Sequence, residues 1–151
     1  MFFGLFKKKK KNRQPEYDKK LIGGFINDHK KLVSLIGNIL KALDENQQKK
    51  AKEELVKLRM ALLGHFMTED IKLYWYLTEY YKGEPHAEET IAKFKSSIKD
   101  IQKEVIKFFD HYAKKDVLLD RHFRTEFDAV VAKLAGRIQA EEESLYTLYV
   151  K

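Results

Sequence analysis

Two stretches of this chain repeat one pattern of residue types that can bind a metal ion. Residues 64–74 read GHFMTEDIKLY and residues 136–146 read GRIQAEEESLY, so glycine, glutamate, leucine and tyrosine recur at matching positions. In the first copy His65 and Glu69 are one helical turn apart and would project from the same helix face. Imidazole and carboxylate groups that converge inside a helical bundle suit iron, manganese or zinc. Arg137 replaces the histidine in the second copy, which indicates an altered metal site.

The composition favours one all-helical domain. The chain has 151 residues, enough for a hydrophobic core, and only two of them are proline. No stretch shows the apolar–polar alternation of a strand. The sequence contains no cysteine, which excludes disulfides, thiolate metal sites and a cysteine nucleophile and fits a reducing cytoplasm. We therefore expect an all-α, cytoplasmic protein.

Apolar residues spaced three and four apart predict four long helices. The clearest turn lies at residues 82–85, where a glycine and a proline occur together. Long helices with short connections predict an antiparallel up-down-up-down four-helix bundle. The predicted helices cover about 14–44, 47–81, 87–114 and from 116–120 to the chain end, within a bundle domain of residues 15–151.

Residues 1–14 are predicted to form a separate basic tail. They carry six positive charges and no acid, and without them 24 basic residues face 23 acidic ones. The remaining domain lacks the basic footprint of a nucleic-acid binder, so no nucleic-acid partner is expected. A disordered tail is the simpler interpretation. The alternative is a weak contact with the inner membrane surface, through the lysines and four apolar side chains, namely Phe2, Phe3, Leu5 and Phe6.

Ionisable residues interrupt the inward apolar stripes of three predicted helices at one level. At ~1.5 Å rise per residue these positions lie near the middle of the bundle. Burying charge is costly unless the groups are paired or bind a metal. Each residue alone would more often be a hydrogen-bonded core residue, and together they could instead form a salt-bridge network that fixes helix register. The four candidate ligands are His29 on the first helix, His65 and Glu69 on the second, and Glu141 on the fourth.

The remaining histidines do not complete this set of ligands. The inward residue of the third helix at the same level is Ile98, which cannot bind a metal. His86, His111 and His122 lie near predicted helix ends, where we expect surface or capping positions. The set therefore holds two histidines and two glutamates.

Over residues 17–150 the chain resembles the hemerythrin-like, or HHE cation-binding, family. The resemblance implies a helical bundle with a non-haem di-iron centre and bridging carboxylates. Such proteins bind oxygen or related small molecules and often serve in sensing or iron handling. The residues that carry the resemblance are Asp28-His29, then His65, Glu69, Leu73 and Tyr74, and finally Glu141-Glu142 with Leu145-Tyr146.

Two departures from the family pattern change what the resemblance implies. The second-half histidine of the family is Arg137 here, and the third-helix histidine is Ile98. A permanent cation at Arg137 would neutralise a neighbouring glutamate and oppose binding of a second metal ion. We therefore expect non-haem iron as a single ion or degraded di-iron centre, or no metal at all. No nucleophile–base pair or phosphate loop is present, so sensing or binding of a metal or small molecule is favoured over turnover.

A weaker resemblance links the chain to the regulator-of-sigma-D (Rsd and AlgQ) proteins of bacteria. It rests on Gly64-His65-Phe66 and on the arginine and acidic run of residues 137–142. It implies a metal-free interaction module whose partner is a sigma factor. In that alternative the polar layer would be a salt-bridge network.

Overall fold

The computed structural model describes residues 16–151, and this part of the chain is entirely helical. The predicted all-α class is confirmed, with four long helical segments and no strand among these residues. The tail and its four apolar side chains lie outside the described residues. The elements are α1 (Leu21–Asp44), α2 (Gln48–Thr68), the π-helical segment π1 (Glu69–Tyr74), α3 (Trp75–Tyr80), α4 (Pro85–Tyr112), α5 (Arg121–Ala140), the π-helical segment π2 (Glu141–Leu145) and a 3-10 turn (Tyr146–Leu148).

Helix ends follow from local sequence. Pro85 occupies the first turn of α4, where a missing N–H costs nothing, and Gly83 before it has a φ of 90°. The Asp120 carboxylate caps α5 by accepting from the N–H of Phe123 at 3.0 Å. The first helix begins at Leu21, so the start predicted at residues 14–16 is wrong for residues 16–20.

The buried faces of the helices differ slightly from the apolar stripes that the three-four spacing predicts. The predicted inward residues are Ile22, Phe25, Leu32, Ile36, Ile39 and Leu43 on the first helix, Leu55, Leu58, Leu62, Leu73 and Tyr76 on the second, and Phe123, Phe127, Val131, Leu134, Ile138, Leu145 and Leu148 on the fourth. On α2, Leu55, Leu58 and Leu62 are fully buried as expected. On α1 the buried face also includes Leu21, Leu35 and Ala42, whereas Ile22, Ile36 and Leu43 are only partly buried. On α5, Val131 and Ile138 are only partly buried, and Arg137 is buried instead. On α5 the buried face therefore includes a guanidinium group.

Contacts between helix ends hold the four segments together. Arg124 near the start of α5 pairs with Asp44 at the end of α1, at 3.3 Å. The Lys52 ammonium near the start of α2 donates to the Tyr112 carbonyl at the end of α4, at 2.6 Å. The Tyr81 hydroxyl, after α3, donates to the carbonyl of Leu148 at 2.6 Å. Among residues 16–151, no helix is long and apolar enough to cross a bilayer.

Both π-helical segments begin at the matching glutamates of the sequence repeat. π1 starts at Glu69 and π2 starts at Glu141. A π-helical turn accommodates one extra residue in a helix, and such turns often occur at functional sites. The repeat is therefore structural as well as sequential, and both copies change helix geometry at the carboxylate.

Candidate metal centre

The structure brings the four predicted ligands together in the core. The Nε2 atom of His29 lies 3.2 Å from Nε2 of His65 and 3.3 Å from Oε1 of Glu141. Nε2 of His65 lies 3.5 Å from Oε2 of Glu69. All four residues are at most 5% exposed. Each offers one donor atom, and these atoms lie within 4.8 Å of one another.

These separations match the spacing of donors around one ion. With metal–ligand distances of ~2.0–2.2 Å, neighbouring donors of a tetrahedral or octahedral set lie roughly 2.8–3.6 Å apart. Two imidazoles and two carboxylates are also a suitable donor set for iron or zinc. The residues present therefore fit a single divalent or trivalent cation.

Each histidine is oriented by a carboxylate behind it. Nδ1 of His29 lies 2.7 Å from Oε2 of Glu142, and Nδ1 of His65 lies 3.0 Å from Oδ2 of Asp28. A proton on Nδ1 that is shared with a carboxylate leaves the Nε2 lone pair free to point at a cation. Ligating histidines in metal sites are held in this way by outer-shell carboxylates.

One oxygen in the cluster has no hydrogen-bond partner. Oε1 of Glu69 is buried and unpaired, while Oε2 accepts from the Tyr146 hydroxyl at 2.6 Å. An unpaired buried carboxylate oxygen is costly. A cation in the cluster would compensate this cost directly.

Arg137 lies beside the cluster and neutralises the charge of one of its carboxylates, that of Glu141. Its Nε donates to Oε2 of Glu141 at 2.9 Å, and its Nη2 donates to the Tyr74 hydroxyl. Its Nη1 donates to the carbonyl of Phe94 on α4 at 3.0 Å, and the guanidinium lies over the Phe94 ring at 4.9 Å. The guanidinium therefore satisfies a buried carboxylate at the position of the missing second-half histidine.

The carboxylates raise the pKa of both imidazoles. Burial alone would lower the pKa of His65, but Glu69 and then Asp28 outweigh it and raise that pKa to about 9. Burial likewise opposes the charge on His29, whose pKa is raised by hydrogen bonds to Glu141 and Glu142. Protons and a metal cation compete for these nitrogens.

The two inward carboxylates titrate in opposite directions. Burial raises the pKa of Glu69 despite its hydrogen bond to His65, and the charge of Glu141 adds to this effect. The pKa of Glu141 is lowered because hydrogen bonding to His29 and the charge of Arg137 outweigh its burial. Burial and both glutamates raise the pKa of the Tyr146 phenol. His29 and Arg137 together therefore favour the ionised form of Glu141.

The remaining histidines are placed as the sequence predicts. His86, His111 and His122 are exposed, and Ile98 is buried on α4. Sequence reasoning assigned no role to four further groups around the cluster. These groups are Asp28, Glu142, Tyr74 and Tyr146. The sequence pointed to them, because the first two adjoin candidate ligands and the two tyrosines recur in the repeat.

Fold and site together define a helical protein with a buried cation-compatible cluster of histidines and glutamates. The family model of the hemerythrin HHE cation binding domain matches residues 21–149, and the chain belongs to this family. The suspected family is therefore confirmed. No curated protein and no solved structure matches the chain.

Proposed function

We propose that this protein holds a single non-haem iron ion through His29, His65, Glu69 and Glu141. The observation that carries the proposal is the pair of Nε2 atoms 3.2 Å apart, each backed by a carboxylate on Nδ1. Membership of a cation-binding family supports the same interpretation. Iron is proposed because the family resemblance implies a non-haem iron centre, and imidazole and carboxylate donors are compatible with that ion.

Arg137 occupies the place of a second metal ion in this proposal. Its guanidinium contacts Glu141 and Tyr74 and is only 7% exposed. A fixed cation there repels a second ion and keeps Glu141 ionised toward the first. The partly lost di-iron site thus becomes a site for one ion.

The proposed framework is an antiparallel up-down-up-down bundle. It is supported by the paired helix ends, such as Asp44 with Arg124 and Lys52 with the Tyr112 carbonyl. In this arrangement α1 contributes His29, α2 and π1 contribute His65 and Glu69, and π2 contributes Glu141. The third long helix, α4, contributes the Phe94 carbonyl to Arg137 instead.

The proposed role is sensing or binding of iron or of a small molecule at the iron, in the cytoplasm. When bound, iron would supply a Lewis-acidic centre for a small ligand. The protein's own groups bind and orient the ion and exclude water from it, since all four ligands are buried. The polar lining offers no separate nucleophile, so turnover is not part of the proposal.

Metal analysis of protein purified without chelator tests the proposal. We expect about one iron per chain in the wild type and a near-complete loss in His65→Ala. His122→Ala is the matched control, because His122 is an exposed histidine on α5, and it should retain the metal. Iron absent from the wild type, or unchanged in His65→Ala, would reject the proposed site.

The metal-free interaction module with a sigma factor as partner stays a prediction. The family match does not extend to it, and the buried cluster would then act as an ion-pair network. Retention of the protein on immobilised primary sigma factor, combined with no bound metal, would favour this alternative.

A further inference from the structure

We propose that Tyr146 is a fifth ligand of the bound ion and coordinates it through Oη, an inference that rests on the proposed function. The Tyr146 hydroxyl lies inside the donor set. It is 2.6 Å from Oε2 of Glu69 and 3.2 Å from both Nε2 of His29 and Oε1 of Glu141. A cation held by these three residues would therefore lie within coordination distance of the phenol oxygen.

The sequence repeat gives a second, independent argument. Arg137 of the second copy is bound by Glu141 of the same copy and by the hydroxyl of Tyr74 of the first copy. When the two copies are exchanged, the corresponding pair is Glu69 of the first copy and Tyr146 of the second, and His65 stands in the place of Arg137. The same carboxylate-plus-tyrosine arrangement thus surrounds a guanidinium at one position and would surround a metal ion at the other.

The Tyr146 ring is fixed in this position. It stacks on Phe25 with 5.5 Å between ring centroids and on His29 with 5.7 Å between centroids. It is only 4% exposed and follows π2 directly. Since the ring is enclosed, an ion that enters the cluster meets the hydroxyl rather than displacing it to solvent.

Coordination of a ferric ion replaces the hydroxyl proton. The Oη–H bond breaks, an oxygen–iron bond forms, and the proton leaves to solvent as the ion enters. No electron is transferred in this step. The resulting donor set is two imidazoles, two carboxylates and one phenolate.

Ferric iron delivered from nitrilotriacetate tests the proposal, with iron content and the visible spectrum measured together. We expect the wild type to show a phenolate-to-iron charge-transfer band at about one iron per chain. Tyr146→Phe should lose the band and bind iron at least about tenfold more weakly. Tyr112→Phe is the control, because Tyr112 is an equally buried tyrosine on α4 outside the cluster, and it should keep the band.

The possible outcomes distinguish failure of the Tyr146 proposal from failure of the proposed iron site. Iron bound without the band, or a band that persists in Tyr146→Phe, overturns the role of Tyr146 and leaves the proposed site standing. No iron in the wild type rejects both. If Tyr146→Phe does not fold, resonance Raman spectra of the iron-loaded wild type decide, since missing phenolate ring modes overturn the proposal and their presence supports it.

Discussion

At the scale of single residues, each histidine of the candidate site lies between two carboxylates, one at each ring nitrogen. Glu142 and Asp28 contact the Nδ1 atoms of the two imidazoles, while Glu141 and Glu69 lie beside the Nε2 atoms on the opposite side of each ring. A buried histidine placed between acids is a strong base when no metal is bound. The charge balance of the metal-free protein therefore depends on pH.

The metal-free protein should lose stability between neutral and alkaline pH through His65. Its pKa is raised to about 9 in the folded state, against about 6.5 in an unfolded chain. Its contribution is therefore fully present below about pH 6.5 and is lost as pH rises through about 9. Urea unfolding at pH 6 and pH 9.5 should show a loss of up to about 3 kcal/mol that is missing in His65→Gln. Equal losses in both proteins would contradict this origin.

Arg137→His should raise the iron content above that of the wild type. The substitution removes a fixed positive charge and restores an imidazole one turn from Glu141, so the barrier to a second ion is reduced. Metal analysis after loading with excess iron should show more than one iron per chain. Arg124→His, on the same helix but in an outer ion pair, should show no gain. If Arg137→His shows no gain either, the missing ligand at Ile98 limits the second position instead.

At the scale of elements, the two π-helical segments set which side chains reach the cluster. π1 and π2 each start at an inward glutamate, and a tyrosine follows five residues later, at Tyr74 and Tyr146. In a regular α-helix, five residues correspond to a rotation of roughly 500°, or 140° beyond one full turn. The wider turn reduces this offset, so that glutamate and tyrosine both face inward.

Deleting Glu143 should weaken metal binding while preserving helix content. Glu143 is an exposed residue within π2, and its removal lets the segment return to regular α-helix. Tyr146 would then rotate by about 100° away from Glu69. Calorimetric titration with ferrous iron should show at least about tenfold weaker binding, with little change in far-ultraviolet circular dichroism. Glu143→Ala should bind like the wild type, and equal binding in the deletion would contradict the role of the wide turn.

The main elements and the inward positions of the candidate ligands were predictable because they follow helical periodicity. The inward positions of His29, His65, Glu69 and Glu141 could be read directly from spacing. The contacts of the surrounding side chains with the cluster could not be predicted in this way. They depend on how each helix is rotated and on the π-helical turns, which a period of 3.6 residues does not describe. Tyr74 is an example: helical spacing alone does not show that its hydroxyl contacts Arg137 in the core.

The whole molecule connects sequence-distant helices through one small cluster. His29 on α1 contacts His65 on α2, 36 residues away, and Glu142 in π2, 113 residues away. Arg137 adds α4 through the Phe94 carbonyl. An ion in the cluster would bind only the folded state, because the unfolded chain does not assemble these ligands.

Iron should therefore raise the melting temperature of the whole domain. Free ligand at 100 times its Kd adds about 2.7 kcal/mol of stability, which for a domain of this size corresponds to a shift of roughly 5–10 °C. Thermal unfolding followed by circular dichroism should show the shift in the wild type and not in His65→Ala. An equal shift in both proteins would mean that iron stabilises the protein from another position.

The most direct measurement is anomalous X-ray scattering at the iron edge from crystals of the iron-loaded protein. We expect one strong peak per chain, bonded to Nε2 of His29 and His65 and to oxygens of Glu69 and Glu141, with the Arg137 guanidinium still on Glu141. A chain without a peak among these four side chains, or with a second peak of equal height at the position of the guanidinium, would contradict a single-ion site.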